Sequence, residues 1–396
     1  MSVYKDSLEL VIKIDNRELD ISPKSFSFSI RDSIYKLYSE GSLKILDSSG
    51  IMQEIGVFTE GLEVEIDYGL KDETILKSKF VMVDDDLEVS TSQTYIAGTV
   101  NLNLFNPYYN YQNILSKSYP NKSISDIVRL LANRYGKFSK TNIDGTGNIL
   151  NWYQPLMTDS EFINKILLPN AYSKLYSDYP FFCYINSNNE FNFKNYKSLI
   201  SQPPIKLKFI SDSTKNPEKN TITYYRRFSE GNINLRTFKN RKTYYQDITN
   251  GTFTEEEDSF TDYPNISNRK TQILKTDNII NYYNLGKKLV SKNRGYEDNI
   301  EGRKVFSMRN AIGIEKFLVV IPLNVEIFAG KLVELEIPMI SNKGNEDLSQ
   351  RYCDKYLVER VDHTWDCGRE ISYTQLVISR RYTKYQNDNI YKDKVF

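Results

Sequence analysis

A mainly β chain interrupted by an α/β insert is what this sequence predicts, and three observations predict it. Apolar and polar residues alternate through most of the first hundred positions. The apolar period lengthens to that of a helix after Pro107, and alternation returns in the last section of the chain. At 396 residues the chain is long enough for about two to four domains, and with 40% hydrophobic residues it can bury a sizeable core.

In LELVIKI, Leu8, Leu10, Ile12 and Ile14 share one strand face, as do Phe26, Phe28 and Ile30 in FSFSI. SLKILD, LEVEIDYG, KFVMVDDDLEV and TVNLNLF follow. In LEVEIDY, Leu62, Val64, Ile66 and Tyr68 alternate with Glu63, Glu65 and Asp67, as in a strand with one face in a core and one in water. Residues 1–105 therefore read as a compact all-β unit, a small barrel or sandwich that leaves few open edges.

In KSISDIVRLLANRYG, Ile124, Ile127, Val128 and Leu131 fall on one helical face. Ser123 and Asp126 resemble a capping box, and Gly136 is the stop. A second helix is predicted over 159–168, with Phe162, Ile163, Ile166 and Leu167 as its stripe, Thr158 and Glu161 as its cap pair, and Pro169 ending it. FFCYI and EFNFKNY read as strands joined by the turn NSNN. The α/β domain spans 106–205, and Gln202-Pro203-Pro204 is its exit.

Strands return at IKLKFI and TITYYRRF. Residues 246–270, with TEEEDSF, read as a loop, and a helix capped by Asp277 is expected near 278–293, so 246–314 is a partly helical excursion. FLVVIPLNVEIFAG, KLVELEIPMI, the polar loop SNKGNEDLSQRY, YLVERVDHTWD and REISYTQLVISRR complete a second β domain built from 206–245 and 315–385. The tail beyond Arg381 has little patterning, and 386–396 is expected to be a C-terminal arm. GLEVEIDYG, KFVMVDDDLEV and TYIAGTVNLNLF are echoed in order by GKLVELEIP, YLVERVDHTWD and ISYTQLVISR, which suggests two related β domains.

Little in the sequence points to chemistry. His363 is the one histidine; Asp362 beside it would face the other side of a strand and so could not orient it. Asp84, Asp85 and Asp86 diverge if they lie on a strand, and a bend or turn is the expectation there. Glu255, Glu256, Glu257 and Asp258 read as a solvated loop, and IDGTGN at 143–148 as a turn without the Lys-Ser/Thr of a phosphate loop. The Arg pairs at 226–227 and 380–381 are isolated. No catalytic residue, metal or cofactor is expected, and the chain is not expected to be an enzyme. A net charge of +1 gives no long-range pull toward nucleic acid.

Cys183, Cys353 and Cys367 form no CxxC pair; Cys353 and Cys367 could meet across neighbouring strands, with reduced thiols the default. The opening MSVYKDSLEL has no apolar signal region and no run of 18 apolar residues exists, so the expectation is a protein made in a cytoplasm and soluble or assembled there. Two sources compete for the 30 tyrosines: a biased host genome, and interfaces that favour rigid rings with a polar tip.

At residues 30–51, IRDSIYKLYSEGSLKILDSSGI resembles the N-terminal region of baseplate central hub proteins of T4-like contractile-tail phages, through Arg31, Asp32, Ser33, Tyr35, Glu40, Gly41, Asp47, Ser48 and Ile51. Gly330, Val333, Leu335, Ile337, Tyr356, Val358, Val361 and His363 resemble the C-terminal pattern of tail hub and late-control proteins. The resemblance implies two tube-like antiparallel β-barrel domains per chain and a homotrimeric ring adapting a six-fold tail tube protein to a trimeric central spike. It further implies a virion location in the tail baseplate, contacts with wedge and tape-measure proteins, and passage of phage DNA without specific binding. Glu63, Glu65 and Asp67 are the candidates to line the channel; the competing reading is that they solvate an outer face or meet the next subunit. Two alternatives stand beside this one: the hub of a related contractile injection machine, and a tail-associated glycan-hydrolysing or glycan-binding protein.

Overall fold

The computed structural model describes residues 8–15, 17–18, 26–47, 61–70, 74–91, 96–110, 113–147, 149–176, 179–209, 218–228, 241–247, 252–258, 278–285, 309, 315–338, 352–366 and 371–380. The fold is mainly β with an α/β insert. The first β unit contains β1 (Leu8–Ile14), β2 (Arg17–Glu18), β3 (Phe26–Ser33), β4 (Glu40–Asp47), β5 (Glu63–Leu70), β6 (Leu76–Thr91) and β7 (Ile96–Phe105). Every hydrogen-bonded neighbour in it is antiparallel, in the order β3-β4-β7-β6-β5-β1-β2. Alternation gives each strand one apolar face. Ile12, Phe28, Leu43, Ile66, Phe80 and Leu102, one from each of the six longer strands, meet in a single core, so the sheet curls around it.

The insert contains β8 (Leu115–Ser123), helix α1 (Ile124–Tyr135), β9 (Lys140–Ile143), β10 (Ile149–Met157), a helical segment, β11 (Phe181–Ile185), β12 (Glu190–Asn195) and a short helix, Tyr196–Ile200. Both predicted caps form. Ser123 Oγ accepts the Asp126 amide, and Gly136 closes α1 with φ of 107°; Thr158 and Glu161 make the reciprocal box. Pro169 does not end the second helix. Residues Asp159–Phe162 pass through a π turn, Ile163–Leu167, into Leu168–Asn170. The wider turn lets the Leu168 amide reach the Ile163 carbonyl and accommodates a proline that lacks its own donor. The NSNN turn joins β11 to β12 as expected, with the Asn189 amide on the Asn186 carbonyl. This insert has its own core around Trp152, Phe162 and Phe191.

The second β unit contains β13 (Ile205–Phe209), β14 (Thr221–Ile222) and β15 (Tyr224–Phe228). Next come β16 (Arg241–Asp247), β17 (Thr252–Asp258) and β18 (Asn278–Leu285), which form a separate sheet. The unit is completed by β19 (Glu315–Pro322), β20 (Leu332–Glu336), β21 (Lys355–Asp366) and β22 (Ile371–Arg380). Three expectations are corrected here. Residues 278–285 are a strand, because Tyr and Ile favour a pleated surface over a helix; Asp277 and the residues after Leu285 in that prediction lie outside the described set. The acidic run at 255–258 is also a strand, whose register sets Glu257 opposite Lys242 and Asp258 opposite Arg241. The three aspartates at 84–86 lie within β6, with a bulge just before them, and form no turn.

The two β units share one strand order. β3-β4-β7-β6-β5-β1 in the first corresponds to β15-β19-β22-β21-β20-β13 in the second, element for element in chain sequence. The internal echo is thus a repeat of topology, and its details repeat too. Gly61 (φ 90°) and Gly330 (φ 85°) begin equivalent strands. The Gly61 amide bonds to Met82 and the Gly330 amide to Val358, and each acceptor sits beside a bulge in the middle strand of its triplet. One difference concerns direction: β13 runs parallel to β20, whereas β1 is antiparallel to β5. Leu207, Phe317, Leu335 and Val358 contribute to the second unit's own core. Residues 341–351 of the polar loop, Cys367 and the tail beyond Arg381 lie outside the described residues; Cys183 and Cys353 are free thiols.

Candidate functional site

The family-resembling run around Arg31 lies where the three bodies meet. β3 is the edge of the first unit, and it pairs antiparallel with the distal half of β21, from Arg360 opposite Ser33 to Trp365 opposite Phe28. The Ile34 amide continues the ladder to the Glu359 carbonyl at the bulge. Hydrogen bonding therefore runs through both units in one 14-stranded sheet. Strand alternation then sends neighbouring side chains to different duties. Arg31 Nε reaches Asp362 Oδ1 at 2.5 Å, and Arg360 Nε lies 3.1 Å from Oδ2 of the same carboxylate. The hydrogen bond to Asp362 holds the Arg31 guanidinium more firmly protonated than usual.

Asp32, one residue on, is buried and turns toward the insert. Its Oδ2 accepts from the Ser187 amide at 3.0 Å and from Ser187 Oγ at 2.8 Å. Burial pushes its carboxyl up to about 7, against the pull of those two donors. Tyr35 donates to Glu359 Oε1 at 3.0 Å, Ser379 donates to the same oxygen at 2.6 Å, and Lys316 Nζ lies 2.9 Å from Oε2. The Arg309 guanidinium lies over the rings of Tyr35 and Phe182, at 5.3 and 5.0 Å. A small apolar cluster of Ile34, Phe182, Tyr184, Leu199, Ala329 and Leu357 seals the seam.

Gly330 is part of this junction. Its amide bonds to Val358 and its carbonyl accepts from Gln202 Nε2 at 2.9 Å. A Cβ there would stand 1.8 Å from Tyr184 Oη, so only glycine fits. His363 is fully buried against Tyr68, with Nδ1 3.0 Å from Thr374 Oγ1. Desolvation lowers it to about 3, so the ring is neutral. Asp362 serves Arg31 on the opposite face and does not orient it.

The other sequence candidates lie apart. Gly41, at the start of β4, would place a Cβ 3.3 Å from Leu104 and 3.5 Å from the Phe80 ring, a close strand approach in the first core. Asp47 ends the same strand, opposite Gly98. Leu335 and Tyr356 belong to the second core, and Tyr356 meets Phe317 edge-on at 5.5 Å. Glu63, Glu65 and Asp67 occupy the outward face of β5. There Glu65 pairs with Lys79, and Asp67 has Lys77 at 3.8 Å. The second unit repeats the Glu65–Lys79 register at Glu334, which stands opposite Lys355 on β21; on its other side Lys206 of β13 opposes Glu334 and Lys208 opposes Glu336. Sequence reasoning missed Glu359, Ser187, Tyr184 and Arg309. Glu359 leaves one trace: the apolar spacing in β21 slips from two to three between Val358 and Val361. Among the described residues no cluster of metal-ligating side chains occurs, and no helix is long and apolar enough to cross a membrane.

No protein-family model matches the sequence. No curated protein matches it either. Solved structures do. The 43 kDa tail protein of prophage MuSo2 from Shewanella oneidensis is similar at 10% identity and a TM-score of 0.59, over 95% of this chain and 99% of that one. A tail protein from Neisseria meningitidis is similar at 10% identity and a TM-score of 0.56, over 94% and 96%. An Escherichia coli component of the type VI secretion system, described as structurally similar to the T4 bacteriophage tail proteins gp27 and gp5, reaches 0.50 at 10% identity over 94% and 78%. The chain thus shares the fold of phage tail proteins.

Proposed function

We propose that this chain is a structural hub of a phage tail baseplate, working mechanically and not as an enzyme. Three copies form a ring that adapts a six-fold tail tube to a three-fold central spike and leaves a channel for DNA. The observation that carries this reading is the repeated strand order of the two β units within one continuous sheet. Two equivalent units in each of three chains supply six similar surfaces, as a joint between six-fold and three-fold partners requires. The shared fold with tail proteins over nearly the whole chain supports the same role. Tube, spike, wedge and tape-measure proteins are the partners this role implies.

The Glu/Lys ladder on β5 and β6, with its counterpart on β20 and the neighbouring β21 and β13, suits a channel wall. Its charges offset each other across neighbouring strands, so it would not hold a polyanion as a basic lining does. A second reading, the hub of a related injection machine, is favoured by the likeness to the type VI component. Light scattering on the purified chain tests the ring. A mass of three chains is expected, and a chain that stays monomeric at every concentration overturns it.

A further inference from the structure

Within one chain, the exposed edge of the first unit (β3) is covered by the distal half of the middle strand of the second (β21). The repeat supplies the same two parts once more. β15 is the counterpart of β3, and among the described residues it pairs on one edge alone, with β19. The distal half of β6 is the counterpart of the distal half of β21. β5 and the residues leading into it cover β6 only from Leu76 to Met82, so among the described residues the far edge from Asp84 to Thr91 pairs with nothing. Among the described residues, one chain therefore offers an edge strand paired on one side alone and, on its other unit, the half-strand that such an edge fits. An open edge invites strand addition.

We propose that the ring closes by this addition: β15 of one copy pairs antiparallel with the distal half of β6 of the next. The inference rests on the ring reading above and names the partner as a second copy. The internal junction dictates the register. Ser29 opposes Thr364 there, and the shared bulge positions make Arg226 the counterpart of Ser29 and Glu88 that of Thr364. Arg226 of one copy then stands opposite Glu88 of the next, and Tyr225 opposite Val89. The charges agree with the register. β15 carries Arg226 and Arg227, while the waiting stretch of β6 carries Asp84, Asp85, Asp86 and Glu88. The internal junction likewise uses a cross-strand Arg–Asp pair, Arg31 with Asp362. Such a head-to-tail contact joins unlike surfaces and gives a closed ring when the rotation permits.

The test is a cysteine pair, Glu88→Cys with Arg226→Cys, oxidised and run on a denaturing gel beside each single variant. Cross-strand neighbours lie within disulfide reach. Ser29→Cys with Thr364→Cys reports the internal junction as a link that leaves the mass of one chain. The expected result is dimer and trimer bands from the Glu88–Arg226 pair and none from the singles. In a second arm, Arg226→Glu and Glu88→Arg each cut the trimer population at least tenfold, and the two together restore it. A trimer by light scattering that gives no intermolecular link overturns this junction and leaves the ring reading standing. A link that forms within one chain also overturns it. A chain that is monomeric by both measures overturns junction and ring together.

Discussion

The two β units are one design used twice, and they differ most in what fills equivalent places. In the first unit Ser39 and Asn106 meet at the end of the sheet through neutral hydrogen bonds. The register places Glu315 and Arg380 at the same point in the second unit, as a buried ion pair at 2.5 Å, with Asp354 a further 2.8 Å partner of Arg380. The first unit leads from β3 to β4 in a few residues, whereas the second interposes 229–314 between β15 and β19. The edge of the first is closed by its own chain; that of the second pairs with no further strand among the described residues. Topology is thus set by the apolar faces, which match, while local chemistry and connections are free to diverge around them.

The largest expected effect breaks the charged version of the shared corner. Arg380→Ala leaves Glu315 buried without its main partner and should cost about 3–5 kcal/mol. Asn106→Ala at the matching place should cost about 1 kcal/mol. Urea unfolding of both variants checks the ratio, and equal losses would contradict the assignment. Next come the paired glycines. Gly330→Ala meets both a left-handed backbone and Tyr184, and should cost about 3 kcal/mol. Gly61→Ala should pay the backbone strain, about 1–2 kcal/mol. A Tyr184→Phe background should relieve part of the first loss and none of the second.

The smallest effect is in pH dependence, since two buried groups oppose each other across the seam. Asp32 keeps its proton in the folded chain to about pH 7 but loses it near 3.8 when unfolded, so its contribution falls as pH rises through that window. His363 binds a proton only below about 3 when folded and near 6.5 when unfolded, so its contribution rises with pH between those values. The wild-type melting temperature should therefore be nearly flat from about pH 4 to 6.5 in respect of these groups. Asp32→Asn should unmask a rise with pH, and His363→Gln a fall. The same slope in both variants would show that neither group titrates as its burial dictates.

Much of the fold could be read in advance where one physical signal dominated. The alternation in β5 placed Val64, Ile66 and Tyr68 in the core, where all three are fully buried. The caps at Ser123 and Thr158 marked both helix starts. β8 was missed because, of its nine residues, Tyr119 and Ser123 alone are buried, so no period shows. β17 and β18 were misread because their stability comes from cross-strand partners that a local window does not contain. The seam was legible only as a family-like run at Arg31 and Asp32. Asp32 finds Ser187 from 155 positions away and Arg31 finds Asp362 from 331, and no local pattern encodes such pairs.

In the ring proposed above, a duplicated sheet in each of three chains supplies six similar parts. Electron-microscopy class averages of the purified assembly test it most directly. The expected particle is a ring with a central hole and six similar lobes, alternating between two slightly different kinds. A particle with three lobes, or with no hole, would contradict it.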